Sequence, residues 1–357
     1  MIRSLCLLLL LSACAVQSSP PKQFITLDGA IAQPHVTRLD AIPGATKDPH
    51  GRYLNLDKDS AHGSVWTRIG FFSRRVLTPF RSNDGAAPVL ASSQPKKNPP
   101  DWIQWVGHST LLVSIHGINF LTDPIWSDTP SPVPPIGPSR FVPPGLEISQ
   151  LPKIDFILIS HNHYDHLDLP SIKQLSQRYP EALFLVPKDN AYLLTNHGIK
   201  NVLELDWGEQ FLMKTVTISC LPAQHWSKRS LNDTRQSLWS SWAVTSPTKR
   251  FYFGGDSGYF SGYSLIGESL GPFDVAALPI GAYQPRAMMA GSHMNPEEAV
   301  QAGLDLKASK ILPIHYGTFD LSDEPLAEPL ARFAVAMQTS GTELDALILK
   351  IGEGQSF

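Results

Sequence analysis

Short apolar runs separated by polar and turn-forming residues recur from Trp102 to the end of the chain. Runs of this kind, rich in aliphatic and aromatic residues, are typical of strands buried in a sheet. The predicted strands are residues 102–106, 111–115, 119–122, 156–159, 183–186, 216–221, 251–253, 275–280 and 311–314. After Pro144 these strands alternate with helical segments, so the pattern predicts an α/β fold.

Helix signals lie between several of the strands. Residues 170–179 have a helical pattern and follow the strand at 156–159. A helix start is indicated at residues 295–298, where an Asn cap precedes a Pro at the first helical position and acids in the first turn. A further helix is expected from about Leu326 to a stop near Gly341.

The part of the chain before Trp102 differs in character. Residues 15–98 hold scattered Gly, Pro and Asn and lack long periodic segments, which indicates a tether and an irregular N-terminal arm. Prolines cluster at 95–100 and 130–144, where they predict stiff surface loops. We therefore place the main domain at residues 99–357.

The first residues have the pattern of an export signal. A positive start is followed at residues 5–11 by an apolar stretch too short to span a bilayer as an ordinary helix. Residues 11–14 (LSAC) resemble the cleavage box of bacterial lipoproteins, which predicts a signal peptide at residues 1–14 and lipidation of Cys14. An ordinary cleaved signal with Cys14 incidental is the alternative. Because Ala15 rather than an acid follows, we expect a lipid-anchored protein in the cell envelope, at the outer membrane facing the periplasm if the host is Gram-negative.

The charge of the chain bears on whether it binds nucleic acid, and its cysteine content bears on whether a disulfide stabilises it. Lys and Arg number 29 against 32 Asp and Glu, a net charge of -3, and no basic run marks a nucleic-acid groove. No nucleic-acid partner is therefore expected. With Cys6 removed and Cys14 lipidated, Cys220 remains alone, so no intrachain disulfide is expected.

Residues 160–168 (SHNHYDHLD) carry the most informative chemical pattern. His161 and His163 lie two residues apart, so on an extended segment both imidazoles project to the same side. Asp165 and His166 fall at the turn into the next helix. One loop thus offers four ligands to two adjacent metal ions. A chance surface cluster is the alternative, but an apolar strand leads directly into the loop.

Four ligands from one loop cannot close two metal sites, so further donors must come from other strand ends. His225, Asp256 and His315 each follow a predicted strand. Taken singly, such a histidine is more often a hydrogen-bonded loop residue. Together with the loop, these three residues complete a set of seven candidate ligands.

Further motifs accompany the candidate ligands. They are WVGHST at 105–110, LTDP at 121–124, GPSRF at 137–141, ELDW at 204–207, QHW at 224–226, LWSSW at 238–242, GDSGY at 255–259, PIGAY at 279–283 and HYGTF at 315–319. With these motifs, the chain from about residue 101 to the end resembles the metallo-beta-lactamase superfamily. Within it, the chain is similar to the family of N-acyl-phosphatidylethanolamine-hydrolysing phospholipases D.

The resemblance implies an αββα sandwich, here with an irregular N-terminal arm, that holds two zinc ions. It assigns one ion to His161, His163, His225 and Asp256, and the other to Asp165, His166, His315 and the same, bridging Asp256. No cysteine is among these ligands, so iron or manganese also suit the nitrogen and oxygen donors. His108 and Asp123 match positions that support the site from outside, and Asp123 is expected to accept a hydrogen bond from a ligating histidine.

The resemblance further implies that the chain hydrolyses the phosphodiester of N-acyl-phosphatidylethanolamine or a related membrane phospholipid. Two metal ions lower the pKa of a shared water, so that a bridging hydroxide can attack phosphorus. Asp165 and Asp256 would orient this hydroxide. His293 would donate a proton or hydrogen bond to the leaving or phosphoryl oxygen, unless it serves only to cap its loop.

Other interpretations remain open. A lactonase or cyclic-phosphate hydrolase would use the same fold and ligands, whereas a non-catalytic envelope lipoprotein would not need a complete ligand set. Residues 131–136 depart from the animal enzymes, which leaves the head-group preference open. Trp226, Trp239 and Trp242 either line an acyl groove or belong to the core. The oligomeric state is also undetermined, and a homodimer is one option.

Overall fold

A computed structural model describes residues 24–25, 31–32, 35–58, 63–77, 82–90, 94 and 101–357 of the 357-residue chain. The predicted signal peptide, the lipidation site Cys14 and the proline cluster at 95–100 lie outside the described residues. None of the described helices combines the length and the apolar character needed to cross a lipid bilayer.

The strands are labelled in chain order. They are β1 (Phe24–Ile25), β2 (Ile31–Ala32), β3 (Val36–Arg38), β4 (Asp101–Gly107), β5 (Thr110–Ile115), β6 (Ile118–Thr122), β7 (Phe156–Leu158), β8 (Leu183–Pro187), β9 (Val202–Leu205), β10 (Glu209–Met213), β11 (Val216–Leu221), β12 (Ser241–Thr245), β13 (Arg250–Phe253), β14 (Val275–Pro279), β15 (Lys310–Ile314), β16 (Asp345–Ala346) and β17 (Gly354–Ser356). The helices are α1 (Val65–Leu77), α2 (Leu169–Arg178), α3 (Ala191–Thr195), α4 (Gly262–Leu270), α5 (Arg286–Met289), α6 (Pro296–Asp305) and α7 (Glu328–Thr339).

Two large sheets contain nearly all of these strands. The N-terminal sheet has the order β17-β4-β5-β6-β7-β8-β9, antiparallel as far as β6 and parallel from β6 to β9. The C-terminal sheet has the order β16-β15-β14-β13-β12-β11-β10-β3, with β13 to β16 parallel and the other pairs antiparallel. Every predicted strand is present, and the N-terminal arm contributes β3 to the edge of the C-terminal sheet.

The two sheets pack face to face around one apolar core. Side chains alternate along β5, so that Leu111 and Val113 point into the core between the sheets while Leu112 packs on the other face. Across the sandwich, the rings of Phe120 and Phe251 lie 5.9 Å apart. These contacts join β6 of one sheet to β13 of the other.

Helices cover the outer faces of both sheets. Ile172 and Leu175 of α2 pack with Leu112 on the N-terminal sheet, and α6 packs on β14 and β15 of the C-terminal sheet. The predicted αββα sandwich is therefore confirmed. The predicted helix at 170–179 corresponds to α2, and α6 begins at the predicted Asn295 cap, where Asn295 and Glu298 form a capping box.

The N-terminal arm has more regular structure than the sequence indicated. It contains α1, which was not predicted because Gly70 and four β-branched residues lower the helix propensity of this segment. Ile42 and Tyr53 of the arm are buried in the core shared by the sheets. The arm therefore packs as part of the same core in the described residues.

The carboxyl ends of several strands that carry candidate ligands lie at one edge of the sandwich. The strands β4, β6 and β7 end at one edge of the N-terminal sheet, and β11, β13, β14 and β15 end at one edge of the C-terminal sheet. The Ser240 amide, just before β12, donates to the Ser160 carbonyl oxygen at 2.8 Å, which joins the two edges. We call this joint edge the loop edge.

Candidate metal centre

The loop after β7 carries four candidate ligands and is held at both ends. At its start, the Ser160 amide donates to Asp123 Oδ1 at 2.6 Å. At its end, Asp168 caps α2 by accepting from the Ser171 amide, and Pro170 lies in the first turn. The ligand residues therefore lie between two anchored points at the loop edge.

His161, His163 and His225 form a three-histidine cluster. His163 Nδ1 lies 2.8 Å from His161 Nε2 and 3.3 Å from His225 Nε2. Ligands about 2.0–2.1 Å from a tetrahedral zinc are separated by roughly 3.3 Å, which is close to this spacing. The cluster draws on both sheets, because His225 follows β11 while the other two histidines follow β7.

Asp165, His166 and His315 form a second group, which we call the acidic cluster. Asp165 Oδ2 lies 3.3 Å from His166 Nε2 and 3.6 Å from His315 Nε2. His315 follows β15 of the C-terminal sheet. This cluster therefore also spans the two sheets.

Asp256 stands between the two clusters. Its Oδ1 lies 3.0 Å from His315 Nε2, and its Oδ2 lies 3.1 Å from His166 Nε2. The same Oδ2 lies 3.9 Å from His225 Nε2 of the three-histidine cluster. A carboxylate can offer one oxygen to each of two ions, so this position suits the bridging role that the family resemblance implied.

Buried polar atoms in the two clusters test whether metal ions fit. His166 Nε2, His315 Nε2 and Asp256 Oδ1 are buried, and in spite of their short separations they have no partner in hydrogen-bond geometry among the described residues. Buried polar atoms without partners are rare and costly. Imidazole nitrogens and carboxylate oxygens that converge in this way fit zinc, iron or manganese. The residues present are thus able to hold metal at both clusters.

The electrostatics of the two clusters differ. Burial lowers the pKa of His161 and of His225 well below the ordinary value, and lowers that of His163 to about 4. These imidazoles are therefore neutral at pH 7, which is the form that binds metal. Burial opposes protonation of His315 too, but Asp256 and Asp165 raise its pKa to about 9.

Within the acidic cluster, histidines and acids stabilise each other's charge. Burial disfavours the charged form of His166, yet Asp256, Asp165 and Asp123 raise its pKa well above the ordinary value. Burial likewise raises the pKa of Asp256, but His166 and His315 outweigh it and hold that pKa well below the usual range. In the metal-free chain the acidic cluster therefore carries protons that a metal ion would replace.

Asp123 and His108 support the clusters from outside, and their partners are now defined. Asp123 Oδ2 lies 2.6 Å from His166 Nδ1, so the carboxylate can accept a hydrogen bond from the Nδ1–H and leave Nε2 facing the cluster. His108 Nε2 lies 3.1 Å from Asp165 Oδ2. The sequence suggested a supporting place for His108 but did not identify Asp165 as its partner.

Unusual backbone conformations surround the centre. His108, Asp123, Ala282 and His315 have φ values of 52°, 33°, 61° and 60°. Residues other than Gly rarely adopt positive φ, and such residues concentrate at functional sites. Each of these four follows a strand that ends at the loop edge, so four of the nine non-Gly residues with positive φ in the described part of the chain lie around the metal centre.

Arg229 is a supporting residue that the sequence reasoning missed. Its Nη1 donates to the carbonyl oxygens of Asn162 and Leu167 at 2.9 and 2.8 Å, and its guanidinium lies 4.1 Å from the centre of the Tyr164 ring. Arg229 thus ties the ligand loop after β7 to the segment that follows His225. Only the proximity of residues more than sixty positions apart in sequence reveals this role.

His293 lies beside both clusters. Its Nδ1 is 3.9 Å from Asp256 Oδ2, and its ring centre is 5.2 Å from that of His225. Nδ1 makes no hydrogen bond among the described residues, so this nitrogen does not cap the loop. The position allows His293 to contact a group bound at the metal centre.

The three tryptophans of the proposed acyl groove have separate locations. Trp239 and Trp242 are fully buried in the core, where their indole nitrogens donate to the carbonyl oxygens of Ala223 and Ile159. The groove interpretation is therefore wrong for these two residues, because their rings fill the space between the sheets. Trp226 instead packs edge-on against His163, with ring centres 4.6 Å apart.

An αββα sandwich with paired histidine and carboxylate clusters at one edge defines a metal-dependent hydrolase class, and the comparisons identify the family. The model of the beta-lactamase superfamily domain matches residues 118–316. A solved metallo hydrolase from the archaeon Ignicoccus hospitalis has the same fold, with a TM-score of 0.56 at 21% identity over 72% of this chain and 98% of that one. The chain belongs to the metallo-beta-lactamase superfamily.

Two relatives are more similar in sequence. The N-acyl-phosphatidylethanolamine-hydrolyzing phospholipase D 1 of Caenorhabditis elegans is 40% identical over 262 residues, which is 70% of this chain and 74% of that protein. The mitochondrial enzyme of Saccharomyces cerevisiae with the same activity in its name is 36% identical over 72% of this chain and 56% of that protein. The resemblance drawn from the motifs is thereby confirmed.

Proposed function

We propose that the chain is a dinuclear zinc phosphodiesterase of the phospholipase D type. Its substrate would be N-acyl-phosphatidylethanolamine or a related membrane phospholipid, cleaved to phosphatidic acid and the head-group alcohol. The observation that carries the proposal is Asp256, whose two oxygens lie 3.0 and 3.1 Å from His315 and His166 while Oδ2 also faces His225. The similarity to the Caenorhabditis elegans phospholipase D supports the substrate class.

Metal ions at the two clusters would lower the pKa of a coordinated water and neutralise charge on phosphoryl oxygens. Zinc is the proposed metal, because a site of three imidazoles beside a site of imidazole and carboxylate ligands suits it, although iron and manganese accept the same donors. The metal content of the purified protein distinguishes the three.

The chain's own residues position the reacting groups. Asp165 and Asp256 are held ionised by the neighbouring histidines, so their oxygens can accept hydrogen bonds and orient a water for attack. His293 lies on the side of Asp256 that faces His225 and can donate a hydrogen bond to a phosphoryl or leaving oxygen. Removing a positioned donor of this kind usually lowers turnover by about 100-fold.

A product scan by mass spectrometry tests the proposal. The metal-loaded protein is offered N-acyl-phosphatidylethanolamine, other glycerophospholipids, lactones and cyclic nucleotides. We expect phosphatidic acid from a lipid, and we expect His293→Ala to lower its formation by about 100-fold without loss of metal. Turnover of a lactone or cyclic phosphate alone would replace the proposed substrate, and no turnover by a fully metallated protein would favour the non-catalytic lipoprotein.

We also propose that Cys14 carries a lipid anchor that holds the enzyme in the cell envelope, at the outer membrane in a Gram-negative host. The LSAC sequence at residues 11–14 supports this proposal. Labelling of cells with a fatty-acid analogue should mark the wild type and leave Cys14→Ala unmarked. Equal labelling of both proteins would contradict lipidation at this residue.

A further inference from the structure

The helix α1 turns apolar side chains toward solvent. Trp66 is 79% exposed, and Val65 and Ile69 are 58% and 52% exposed, whereas Phe71 is buried on the packed side of the helix. A surface helix normally presents polar residues outward. A tryptophan and two aliphatic side chains on the outer face therefore indicate an interaction surface.

Two loops at the same edge of the fold present further exposed apolar residues. Val133 and Ile136, in the loop before β7, are 61% and 74% exposed, and Leu231, in the loop after β11, is 88% exposed. Isolated exposed residues are common, but a group of them at one edge indicates an interaction surface. We call these three residues, together with Val65, Trp66 and Ile69 of α1, the apolar rim.

Each part of the apolar rim is attached to the loop edge. α1 packs against α5, which precedes His293, and Arg74 of α1 forms an ion pair with Asp323. The loop of Val133 and Ile136 continues into Arg140 and Phe141, and the Phe141 amide donates to the Thr318 carbonyl oxygen at 2.8 Å. Leu231 lies two residues after Arg229, which contacts the ligand loop. Each part of the rim is therefore connected to a segment that flanks the metal centre.

None of the segments of the apolar rim has a net negative charge, in contrast to the whole chain. α1 carries three arginines and no acidic residue, and residues 129–137 carry no charge, whereas the chain has a net charge of -3. Lys228 and Arg229 precede Leu231 and Asp233 follows it, so this segment keeps a net positive charge, with the Arg229 guanidinium engaged by the ligand loop. An amphipathic helix with an exposed tryptophan and flanking arginines has the composition that binds the surface of a bilayer with anionic lipids.

We propose that the apolar rim is a docking surface for a phospholipid bilayer, with α1 lying in the interface. Trp66 and Ile69 would enter the boundary between head groups and acyl chains, and Arg68 would meet lipid phosphates. Docking in this way places the loop edge, and with it the metal centre, against the membrane. The contact is separate from the lipid at Cys14 and from catalysis, so it can fail or succeed independently of the proposed function.

Vesicle binding of the mature chain, residues 14–357 prepared without lipid, tests the proposal. Flotation is measured with phosphatidylcholine vesicles alone and with phosphatidylglycerol added. The wild type should bind, and the Trp66→Ser/Ile69→Ser double variant should lose binding by roughly 10-fold or more. Arg68→Glu should weaken binding only to the vesicles that contain phosphatidylglycerol, and added salt should reduce the difference.

The matched control removes two exposed apolar residues far from the loop edge. Leu212 is 62% exposed and pairs with Thr217 near the start of β11, and Val335 is 59% exposed in the part of α7 that leads to β16. Leu212→Ser/Val335→Ser should bind vesicles like the wild type. Circular dichroism and metal content must match in all variants.

Five results would overturn the proposal. Four of them are no binding by the wild type, equal binding by the Trp66/Ile69 double variant, equal loss in the Leu212/Val335 control, and a dimer that the double variant alone dissociates while vesicle binding is unchanged. In the last case the rim is covered by a second copy of the chain. Protection of Trp66 from acrylamide quenching before vesicles are added would also overturn the proposal, because other residues of the chain would already cover it.

Discussion

Replacing Asp123 by Asn should weaken metal binding at the acidic cluster without removing any ligand. Asp123 is fully buried and receives the Ser160 amide at 2.6 Å, the Ser160 hydroxyl and His166 Nδ1 at 2.6 Å. Burial raises the pKa of this carboxyl above its ordinary value, and the contacts with His166 and Ser160 offset only part of that shift. With three donors around it, the side chain serves as an acceptor, which is the role of the carboxylate.

The amide of Asn cannot serve all three donors. If its oxygen accepts from the Ser160 amide, its NH2 group faces His166 Nδ1, which must then give up its proton. The proton moves to Nε2, the nitrogen directed at Asp256 and Asp165. If the amide turns the other way, its NH2 meets the Ser160 amide, and an unsatisfied buried donor costs about 1–3 kcal/mol.

Either orientation makes His166 a poorer ligand. Loss of such an outer partner typically reduces metal affinity 10- to 100-fold, or about 1.4–2.8 kcal/mol. A titration of the metal-free protein with zinc should show one weakened site, while the three-histidine cluster keeps its affinity. The control is Asp168→Asn, which replaces another buried carboxylate, the cap of α2, by a residue that caps equally well, and it should leave metal affinity unchanged. Wild-type affinity at both sites in Asp123→Asn would refute the assigned role of His166.

Three further outcomes are expected. Gly255 has φ +57° and an added Cβ would lie 2.5 Å from Ser160 Cβ, so Gly255→Ala should lower the free energy of unfolding in urea by about 2–5 kcal/mol. The control Gly341→Ala, at φ +64° with open space around the added Cβ, should lose stability through backbone strain alone, and an equal loss of stability in both variants would contradict the clash with Ser160. Arg229→Gln should lower zinc affinity by roughly 10-fold while Arg229→Lys keeps part of it, and unchanged affinity in both would show that the ligand loop needs no such tie. The pKa of His315 is about 9 in the folded metal-free chain against about 6.5 in the unfolded chain, so its contribution to stability should be complete below pH 6.5 and disappear as the pH rises through 9. Urea unfolding of the metal-free protein across this pH range measures the loss.

The ligand loop was predictable because its chemistry is local. Two histidines at an interval of two after a buried strand, followed by an acid and a histidine at a helix start, define a donor set without knowledge of the fold. His225, Asp256 and His315 were found by the same rule, since each follows an apolar strand. What the sequence cannot state is their mutual distance, which depends on how the two sheets pack.

Elements and contacts set by distant partners could not be predicted. β10 is mostly half-exposed and contains Glu209 and Gln210, so its strand conformation depends on pairing with β11 and β3 rather than on an apolar pattern. β12 was not predicted because it begins inside the tryptophan-rich motif at 238–242 and continues to Thr245. The contact of His108 with Asp165 joins residues that are 57 positions apart, and no local signal in the sequence indicates it.

Hydrolysis of N-acyl-phosphatidylethanolamine in ¹⁸O-labelled water tests the central claim most directly. If the metal-loaded protein directs water to phosphorus, the phosphatidic acid gains one ¹⁸O atom, the released alcohol gains none, and prior removal of metal with a chelator abolishes both products. Label in the alcohol, or no phosphatidic acid from a protein with both metal sites filled, would contradict the account.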